Sequence, residues 1–316
     1  MGRIGVDCII PVFNEKAILD VIKEIIAVRL LKYELYITIV DDGSDPPVVL
    51  PFDGGERVKI IRNELNLGNS SAVKTGLFST KREFVVLMDG DGQHDPLYIE
   101  ALLDRLQTHD LVIANRQGWK NCNYLRSLAN RFYCWLSSFL LSTEVKDITS
   151  GFRALRRSSF HKVFPLFPMK FSSEVTLALL AYMSGRRVDY FPILVRLRNG
   201  SAKSKIRPLQ DGHRIMQIIL KIGMLANPVR FFGIQAVILC LVAVVYFIWS
   251  SLKIGRLFLP NGAVVLMVVS FLLVVLARVV DYAKMILILL IRGDPHIDAN
   301  FSDIGELTVA DKTNSI

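Results

Sequence analysis

The sequence has few cysteines, four among 316 residues. They are Cys8, Cys122, Cys134 and Cys240. Their separations match none of the short spacings that hold structural zinc, and Cys240 lies in a long apolar run. We therefore predict reduced, buried thiols, and neither a cysteine metal centre nor a disulfide framework.

Two ligand-binding signatures are also missing. No Gly-x-Gly-x-x-Gly run follows the first predicted strand, which disfavours an enzyme that binds a dinucleotide. The formal charge of +9 would suit a nucleic acid, but no nucleic-acid-binding motif occurs, so we predict no nucleic acid partner. The basic residues cluster beside two apolar runs instead, where an anionic membrane leaflet attracts them.

Charged residues are absent from two windows, Phe232 to Leu252 and Leu257 to Ala277. Each window is close to the ~20 residues that cross a hydrocarbon core. A pair of helices in a protein core is the alternative interpretation. Within residues 231–292 the sequence predicts two transmembrane helices, at about 232–252 and 257–280, and hence a lipid bilayer as a partner.

Basic residues predict the orientation of these spans. The N-terminus enters a strand-like segment directly, so we expect no secretory signal. The loop between the spans has only Lys253 and Arg256 as basic residues. Those before the first span and after the second include Arg207, Arg214, Lys221, Arg230, Arg278, Lys284 and Arg292. The positive-inside rule then predicts a multi-pass membrane protein with the large domain and both termini in the cytoplasm.

The segments beside the membrane are apolar and basic. Residues 206–230 are predicted to form juxtamembrane amphipathic helices, with an apolar face over 209–226 that suits the bilayer interface. The apolar helix predicted over 124–141 either lies at that interface too or packs beneath the large domain. Residues 293–316 are polar and are predicted to be a flexible cytoplasmic tail.

An ionisable residue follows the second span. Asp281 can pair with Arg278 or with Lys284, three residues away in either direction. Such a pair suits either an oligomer interface or a helix end at the headgroups. A homo-oligomer that forms through the transmembrane helices is therefore one interpretation.

Residues 1–205 have the pattern of a separate α/β domain. Strands are predicted at about 7–12, 35–40, 58–61, 84–88 and 111–114, each rich in β-branched residues. Helical patterns alternate with them, which predicts a doubly wound, mostly parallel sheet. Ligands of such sheets bind at the carboxyl ends of the strands.

The fourth predicted strand ends in Asp89-Gly90-Asp91-Gly92-Gln93. Two aspartates with glycines beside them can turn their oxygens toward one divalent cation, and the glutamine can add a carbonyl oxygen. The alternative is a turn into a helix that Asp95 caps and Pro96 begins. The motif alone does not decide between the two.

Three other loops follow predicted strands. Pro11-Val12-Phe13-Asn14-Glu15 suits either ribose hydroxyls or a helix cap. Asp41-Asp42-Gly43-Ser44-Asp45 crowds three acids, which a ligand or cation usually offsets, although a solvated turn is the alternative. Small residues in Leu67-Gly68-Asn69-Ser70-Ser71-Ala72 open a helix whose N-terminus suits a phosphate.

These motifs, followed by Asp147-Ile148-Thr149-Ser150-Gly151-Phe152-Arg153, resemble in order and spacing the inverting GT-A glycosyltransferases. Within that fold the chain is similar to the polyprenyl-phosphate sugar transferases, the family that includes dolichol-phosphate mannose synthase. The resemblance covers about residues 7–205, and the two C-terminal spans match the bacterial branch. It implies a GT-A sheet followed by interfacial and transmembrane helices.

The resemblance also implies an activity and its residues. A hexose would pass, with inversion, from a UDP- or GDP-sugar to a membrane polyprenyl phosphate, either undecaprenyl or dolichyl. Mg2+ or Mn2+ would be held by Asp89, Asp91 and Gln93. The donor would be bound by these three with Pro11, Asn14, Glu15 near the ribose and Asp42 at the base. The acceptor phosphate would contact Arg116, Arg126, Asn130, Arg198 and Lys205.

The chemistry of the acceptor agrees with this interpretation. A phosphate monoester has a second pKa near ~6, so it is already a nucleophile at neutral pH. It needs cationic side chains for alignment, which Arg116, Arg126 and Arg153 supply, and a cation on the leaving diphosphate. We predict Asp91 and these three arginines as the catalytic residues. For Arg153 the alternative is a structural pair with Asp147.

Several positions leave alternatives open. Glu174 either faces the sugar or is an acid at a helix N-terminus. Asn69 stands where many relatives have lysine, and either Lys203 or Lys205 closes the site. A processive polysaccharide synthase is disfavoured because no Gln-x-x-Arg-Trp motif precedes the spans. From another class, the chain would be a membrane scaffold with a degenerate, nucleotide-binding transferase domain.

Overall fold

The computed structural model describes residues 2–52, 54–117, 124–168, 172–196 and 208–292. The chain forms two compact units, residues 1–222 and 223–316. The division falls within one helix, Pro208–Ala226.

The first unit contains a seven-stranded sheet. Its strands are β1 Ile4–Val12, β2 Tyr33–Asp42, β3 Val58–Asn63, β4 Phe84–Leu87, β5 Leu111–Gln117, β6 Arg153–Arg156 and β7 Val188–Leu194. Their spatial order is β3-β2-β1-β4-β6-β5-β7. All neighbours are parallel except β6, which is antiparallel to β4 and β5.

Helices connect and cover the strands. In chain order they are α1 Ile18–Ala27, α2 Asn69–Ser79, α3 Ile99–Arg105, α4 Tyr124–Leu141, α5 Arg157–Phe160, α6 Ser173–Met183, α7 Pro208–Ala226, α8 Pro228–Ile254 and α9 Asn261–Arg292. Short 3-10 turns occur at Gly55–Arg57, Pro96–Tyr98 and His161–Leu166.

The five predicted strands correspond to β1 to β5, whereas β6 and β7 were not predicted. β6 is the four-residue run Arg-Ala-Leu-Arg, which has a charged residue at each end and lacks the continuous apolar pattern of the equally short β4. β7 contains Asp189 and Pro192, and proline is tolerated there because β7 is the edge strand. The predicted alternation of strands and helices holds through β6, and the predicted mostly parallel sheet is confirmed, with β6 as its one antiparallel strand among the described residues.

Apolar burial on both faces holds the sheet in place. In β1, Val6, Cys8, Ile9 and Ile10 are fully buried, and the buried residues of α1 recur at helical spacing. Residue pairing brings Val12 of β1 beside Asp41 of β2. The carboxyl ends of the central parallel strands therefore meet at one edge, where their loops can share a ligand.

The second unit contains α8 and α9, with α9 starting after Pro260. Two stretches, Pro228–Ile254 and Asn261–Leu289, are long and apolar enough to span a membrane. Small residues lie between the helices, since Ala236 and Ala243 of α8 and Ala263 and Ala277 of α9 are buried. The Ser270 hydroxyl donates to the Ala236 carbonyl at 2.8 Å.

Two sequence predictions for this part of the chain have structural outcomes. Asp281 lies 3.4 Å from the Lys284 ammonium, which is one of the two predicted pairs. The other prediction concerns the cysteines along the whole chain. Cys8 and Cys134 are buried free thiols, as predicted, and Cys122 lies outside the described residues. Cys240 is exposed on α8, so its predicted burial was wrong.

Candidate active site

Asp89 lies in the loop after β4, and its carboxylate packs against the backbone of Gly151. A Cβ atom added to Gly151 would lie 2.2 Å from Asp89 Oδ2. The ring of His94 is buried against Phe152, and its Nε2 lies 3.4 Å from the same oxygen. The Asp89 side chain is still 39% exposed, so a cation can reach it.

The charge of Asp89 is stabilised by its neighbours. Burial opposes ionisation, but the hydrogen bond and charge of His94 and the guanidinium charges of Arg116 and Arg153 outweigh it. The pKa of Asp89 therefore lies below its usual value, and the carboxylate is ionised at neutral pH. An ionised carboxylate is a favourable oxygen ligand for a hard divalent cation.

The rest of this loop forms a tight turn. Gln93 donates its backbone N–H to Asp91 Oδ1 at 3.2 Å, and Gly92 has φ 74°. Asp95 caps the 3-10 turn that follows, accepting from the Leu97 N–H at 3.0 Å. The prediction that Asp95 caps the element begun by Pro96 is thus confirmed. Asp89 and Asp91 precede this cap, after the end of β4.

The metal ligands predicted from the sequence are few. Over the described residues, no group of three or more His, Cys, Asp or Glu side chains surrounds a common point. Binding of a cation by Asp89, Asp91 and Gln93 therefore stays a prediction.

Arg116, at the end of β5, is held by Asp147. Its Nε and Nη2 donate to the two Asp147 oxygens, both at 2.8 Å, and Nη2 also donates to Thr149 Oγ1 at 2.7 Å. Asn130 of α4 joins the cluster, since its Oδ1 accepts from Thr149 Oγ1 at 3.0 Å. Burial opposes the charge of Asp147, yet the Arg116 hydrogen bond and charge lower its pKa.

Arg153 differs from its predicted role. Its side chain is 0% exposed, and its guanidinium donates to the backbone carbonyls of Ser150 at 2.6 Å, Ile148 at 2.8 Å and Glu174. The predicted pair with Asp147 is replaced by the Arg116 pair. Arg153 therefore supports the 148–151 loop, which contacts Asp89. The predicted contact of Arg153 with an acceptor phosphate was wrong, because the guanidinium is buried and bonded to these carbonyls.

The first and second loops are joined to each other. Asn14 donates its backbone N–H to Ser44 Oγ at 2.9 Å, and its Oδ1 accepts from the Asp45 N–H at 2.8 Å. Pro11 lies within β1, and Glu15 is half-buried in the turn that follows. The roles predicted for Pro11, Asn14 and Glu15 in donor binding stay predictions.

The acidic loop after β2 is stabilised by the protein itself. Asp41 Oδ2 lies 2.7 Å from Arg62 Nη1. The acids of this loop were predicted to need a ligand or a cation that offsets their like charges, and the Arg62 guanidinium offsets the charge of Asp41. Asp42 is buried and accepts from Asn63 Nδ2 at 2.8 Å and from the Gly68 N–H at 2.7 Å. Asp42 thus shapes the loop before α2, and its contact with a base stays a prediction.

Three predicted acceptor residues cannot be placed. The Arg126 side chain, Arg198 and Lys205 lie outside the described residues, as does Lys203. Arg116 and Asn130 are the two predicted acceptor residues that the structure brings together, through Thr149.

Comparison with known proteins now identifies the chain. The model of glycosyl transferase family 2 matches residues 7–164, which include β1, the acidic loops and the Asp147 loop. The chain belongs to glycosyl transferase family 2. The sheet, with its antiparallel β6 among parallel strands, is the GT-A type of these enzymes.

The names of two relatives of this glycosyltransferase refer to lipid phosphates. Dolichol-phosphate mannosyltransferase of Pyrococcus furiosus is 32% identical over 229 residues, 68% of this chain and 64% of that protein. Polyprenol monophosphomannose synthase of Mycolicibacterium smegmatis is 30% identical over 168 residues, 49% of this chain and 63% of that protein. The chain therefore spans somewhat less than two thirds of either relative.

A solved structure shares the fold at low identity. Glucosyl-3-phosphoglycerate synthase of Mycobacterium tuberculosis, solved with Mn2+ and UDP-glucose, has a TM-score of 0.53 and 20% identity. The match covers 70% of this chain and 79% of that one. It confirms the predicted GT-A architecture.

The sequence left two interpretations of Glu174 open, and the structure places it in the first turn of α6 as an acid at a helix N-terminus. Its contact with a sugar stays a prediction. Glu174, at the start of α6, accepts from Asn69 Nδ2 at 2.8 Å, and Ser173 donates its N–H to Ser70 Oγ at 2.8 Å. Burial and the charge of Asp89 raise the pKa of Glu174. The asparagine that departs from the family pattern therefore joins α2 to α6, a contact that sequence spacing does not reveal.

The outer face of α4 is an exposed apolar stripe of Leu128, Phe132, Trp135 and Phe139. Trp135 is 60% exposed and stacks on Phe132 and Phe139, with ring centroids 5.8 and 6.0 Å away. The opposite face packs inward, and Tyr133 donates its hydroxyl to the Gly212 carbonyl of α7 at 3.3 Å. The two alternatives for 124–141 were packing beneath the large domain and a position at the bilayer interface. One face of α4 is buried, which agrees with the first, and the other face is exposed and so is available for the second.

Replacing Gly151 with alanine is expected to displace the Asp89 carboxylate, because a Cβ atom would lie 2.5 Å from its Cγ. We expect Mn2+ affinity to fall about 10- to 100-fold, as when groups that orient a metal ligand are lost. Titration of Mn2+ by electron paramagnetic resonance measures this. Gly2→Ala is the control, since nothing lies within 4 Å there. Equal affinity for both variants would contradict the assigned position of Asp89.

Acid is expected to destabilise this glycosyltransferase. Burial opposes charge at Asp41, Asp110 and Asp147, but hydrogen bonds and arginine charges lower their pKa values below the usual range. The unfolded chain then binds protons at a higher pH than the folded chain, so stability rises with pH in that window. We expect a constant melting temperature above about pH 5 and a fall below about pH 4. A melting temperature that rises on acidification from pH 5 to 3 would contradict this.

Proposed function

We propose that this protein transfers a hexose from a UDP- or GDP-sugar to a membrane polyprenyl phosphate, with inversion at the anomeric carbon. The observation that carries the proposal is that one loop, residues 147–151, contacts both Asp89 and Arg116. Gly151 lies against the Asp89 carboxylate, and Asp147 and Thr149 bind the Arg116 guanidinium. A cation held by Asp89 would therefore lie near a guanidinium that Asp147 holds in place.

The named relatives support the acceptor class more than the sugar. Their names include dolichol-phosphate, polyprenol monophosphate, undecaprenyl-phosphate and dodecaprenyl-phosphate substrates or products. The sugars in the same names are mannose and galacturonate. A polyprenyl phosphate acceptor is common to these proteins, so the identity of the hexose is left to experiment.

The transfer itself needs one bond to form and one to break. An oxygen of the acceptor phosphate attacks the anomeric carbon, and the bond from that carbon to the nucleoside diphosphate breaks with the electron pair leaving on the diphosphate. Since the acceptor is already an anion, no strong base is needed. Arg116 would bind the acceptor phosphate and align it, which lowers the entropic cost of the reaction.

Asp89, Asp91 and Gln93 would hold Mg2+ or Mn2+. When bound, the cation neutralises charge on the leaving diphosphate. Asp89 is ionised for this task by His94 and the nearby guanidinium groups. The Asp91 turn presents its carboxylate at the same strand end.

The membrane arrangement follows from the exposed apolar surfaces. We assign α8 and α9 to the bilayer, with both termini in the cytoplasm as the flanking charges favour. The stripe of Leu128, Phe132, Trp135 and Phe139 would lie at the headgroup level, since aromatic residues prefer that depth. A long acceptor could then present its phosphate to Arg116 without leaving the membrane. Association of copies through α8 and α9 stays a prediction.

A thermal-shift screen of the full-length protein tests this function. UDP and GDP are each added with EDTA, Mg2+ or Mn2+, because a ligand that binds the native state raises the melting temperature. We expect one nucleotide to stabilise the protein, and only when a divalent cation is present. Stabilisation by neither nucleotide would favour the degenerate scaffold instead.

A further inference from the structure

Arg196 joins three segments near the predicted cation site. It follows β7, and residues 197–207 after it lie outside the described residues. Its backbone N–H donates to the Gln93 carbonyl at 2.9 Å. Its Nη1 lies 2.6 Å from Glu24 Oε2 of α1, and its Nη2 lies 2.7 Å from Asp95 Oδ2.

These contacts act on the loop that carries the aspartates. Gln93 is tied on one side through its own N–H to Asp91, and on the other through its carbonyl to Arg196. Asp95 is tied to Arg196 while it caps the following turn. The two ends of Gln93-His94-Asp95 are thus held by one residue that is distant in sequence.

The geometry of the side chain suits this task. The guanidinium contacts two carboxylates on different elements at once, one through Nη1 and one through Nη2, and its rigid planar fork fixes the two contacts relative to each other. Arg196 is 42% exposed, and isolated exposed ion pairs contribute little to folding. A purely stabilising role is therefore a weak explanation for a residue bonded to the loop by both backbone and side chain.

We infer that Arg196 is a positioning residue that fixes the Gln93 loop and thereby sets the affinity of the cation site. This inference rests on the proposed function. It adds that the residue two positions after the end of β7 is fastened to the cation loop.

The test compares Arg196→Gln with Arg196→Lys, Glu24→Gln and a matched control, Arg105→Gln. Arg105 pairs with Asp189 and is similarly exposed, at 44%, but it touches no residue of the cation loop in the described contacts. The first readout is Mn2+ affinity in the presence of UDP or GDP, from electron paramagnetic resonance of the full chain. The second is amide hydrogen exchange of residues 88–95 without metal.

We expect Arg196→Gln to weaken Mn2+ binding by about tenfold, the lower range for loss of a group that orients ligands. Exchange in the cation loop should become faster, with the melting temperature close to that of Arg105→Gln. Arg196→Lys and Glu24→Gln, which each keep part of the network, should give smaller losses in the same direction.

The outcomes separate the inference from the function. If Arg196→Gln binds Mn2+ within about twofold of the wild type and exchanges equally, Arg196 is a surface ion pair and the inference is wrong. If Arg196→Gln does not fold, Glu24→Gln takes its place in the test. Unchanged Mn2+ affinity and unchanged amide hydrogen exchange in Glu24→Gln then overturn the inference. If the wild type itself binds no Mn2+ with either nucleotide, the proposed function fails first.

Discussion

Replacing Asp91 with alanine is expected to lower the rate of sugar transfer by about a thousandfold. A cation on the leaving group stabilises the transition state by several kcal/mol, and each 1.36 kcal/mol is a factor of ten. Asp89 alone would hold such a cation poorly, because the loss of Asp91 removes one of the two carboxylates that we assign to it. Initial rates with saturating donor and acceptor, over a range of Mn2+ concentrations, measure the loss.

The design of this experiment separates chemistry from folding. Glu56→Ala is the control, since Glu56 is an exposed acid in the 3-10 turn that precedes β3, at the amino end of that strand. Asp91→Asn keeps the size of the side chain and the turn but removes the negative charge. We expect it to lose nearly as much activity as Asp91→Ala. Full activity of Asp91→Ala, at any metal concentration, would remove Asp91 from the site.

Replacing Asp147 with alanine is expected to affect both stability and transfer. Asp147 is 2% exposed and Arg116 is 17% exposed, so the variant leaves a largely buried guanidinium without its carboxylate. Breaking a buried pair in this way costs about 3 kcal/mol or more. For a unit of this size that corresponds to a melting temperature lower by roughly 6 to 12 °C.

A double variant distinguishes a pair from two independent residues. Arg116→Ala with Asp147→Ala removes both charges, so we expect it to be more stable than the two single losses added together. Transfer should be lost in all three variants, because Arg116 would no longer align the acceptor. Additive losses of stability would contradict the pairing, and normal transfer by Arg116→Ala would contradict the acceptor role.

The parts of the fold that could be predicted share a local signal. β1 to β5 are apolar runs followed by acidic or glycine-rich loops, and each run is long enough to be recognised. The same is true of α4, which begins and ends at the predicted residues, Tyr124 and Leu141. α8 and α9 were predicted for the same reason, because the absence of charge over a long window is visible without any partner.

The pairings could not be predicted, because they join residues far apart in the chain. Asp147 is adjacent in sequence to the loop of Arg153, and yet it binds Arg116, which is 31 residues away. Arg153 was assigned to a phosphate on its residue type alone, and only its burial shows that backbone carbonyls use its donors. A guanidinium serves either purpose, and the surrounding chain decides which.

The same limit applies to the acidic loops. Asp41 and Asp42 look alike in sequence, but Arg62 pairs with the first and Asn63 with the second. His94 directly follows the motif of the two aspartates in the sequence, but only the structure shows its contact with Asp89. A residue next to a motif can therefore take part in the same site. Asn69 was noted as a departure from the family pattern, and its bond to Glu174 gives that departure a structural consequence.

The central claim is that a lipid phosphate receives the sugar. The most direct measurement is mass spectrometry of lipids extracted after the full-length protein is incubated with an undecaprenyl or dolichyl phosphate, Mn2+ and UDP- or GDP-hexoses. We predict a polyprenyl phosphate heavier by one hexose residue, with the anomeric configuration opposite to that of the donor and no product in EDTA. Free hexose with no glycosylated lipid, or a lipid product that forms equally well in EDTA, would contradict the account.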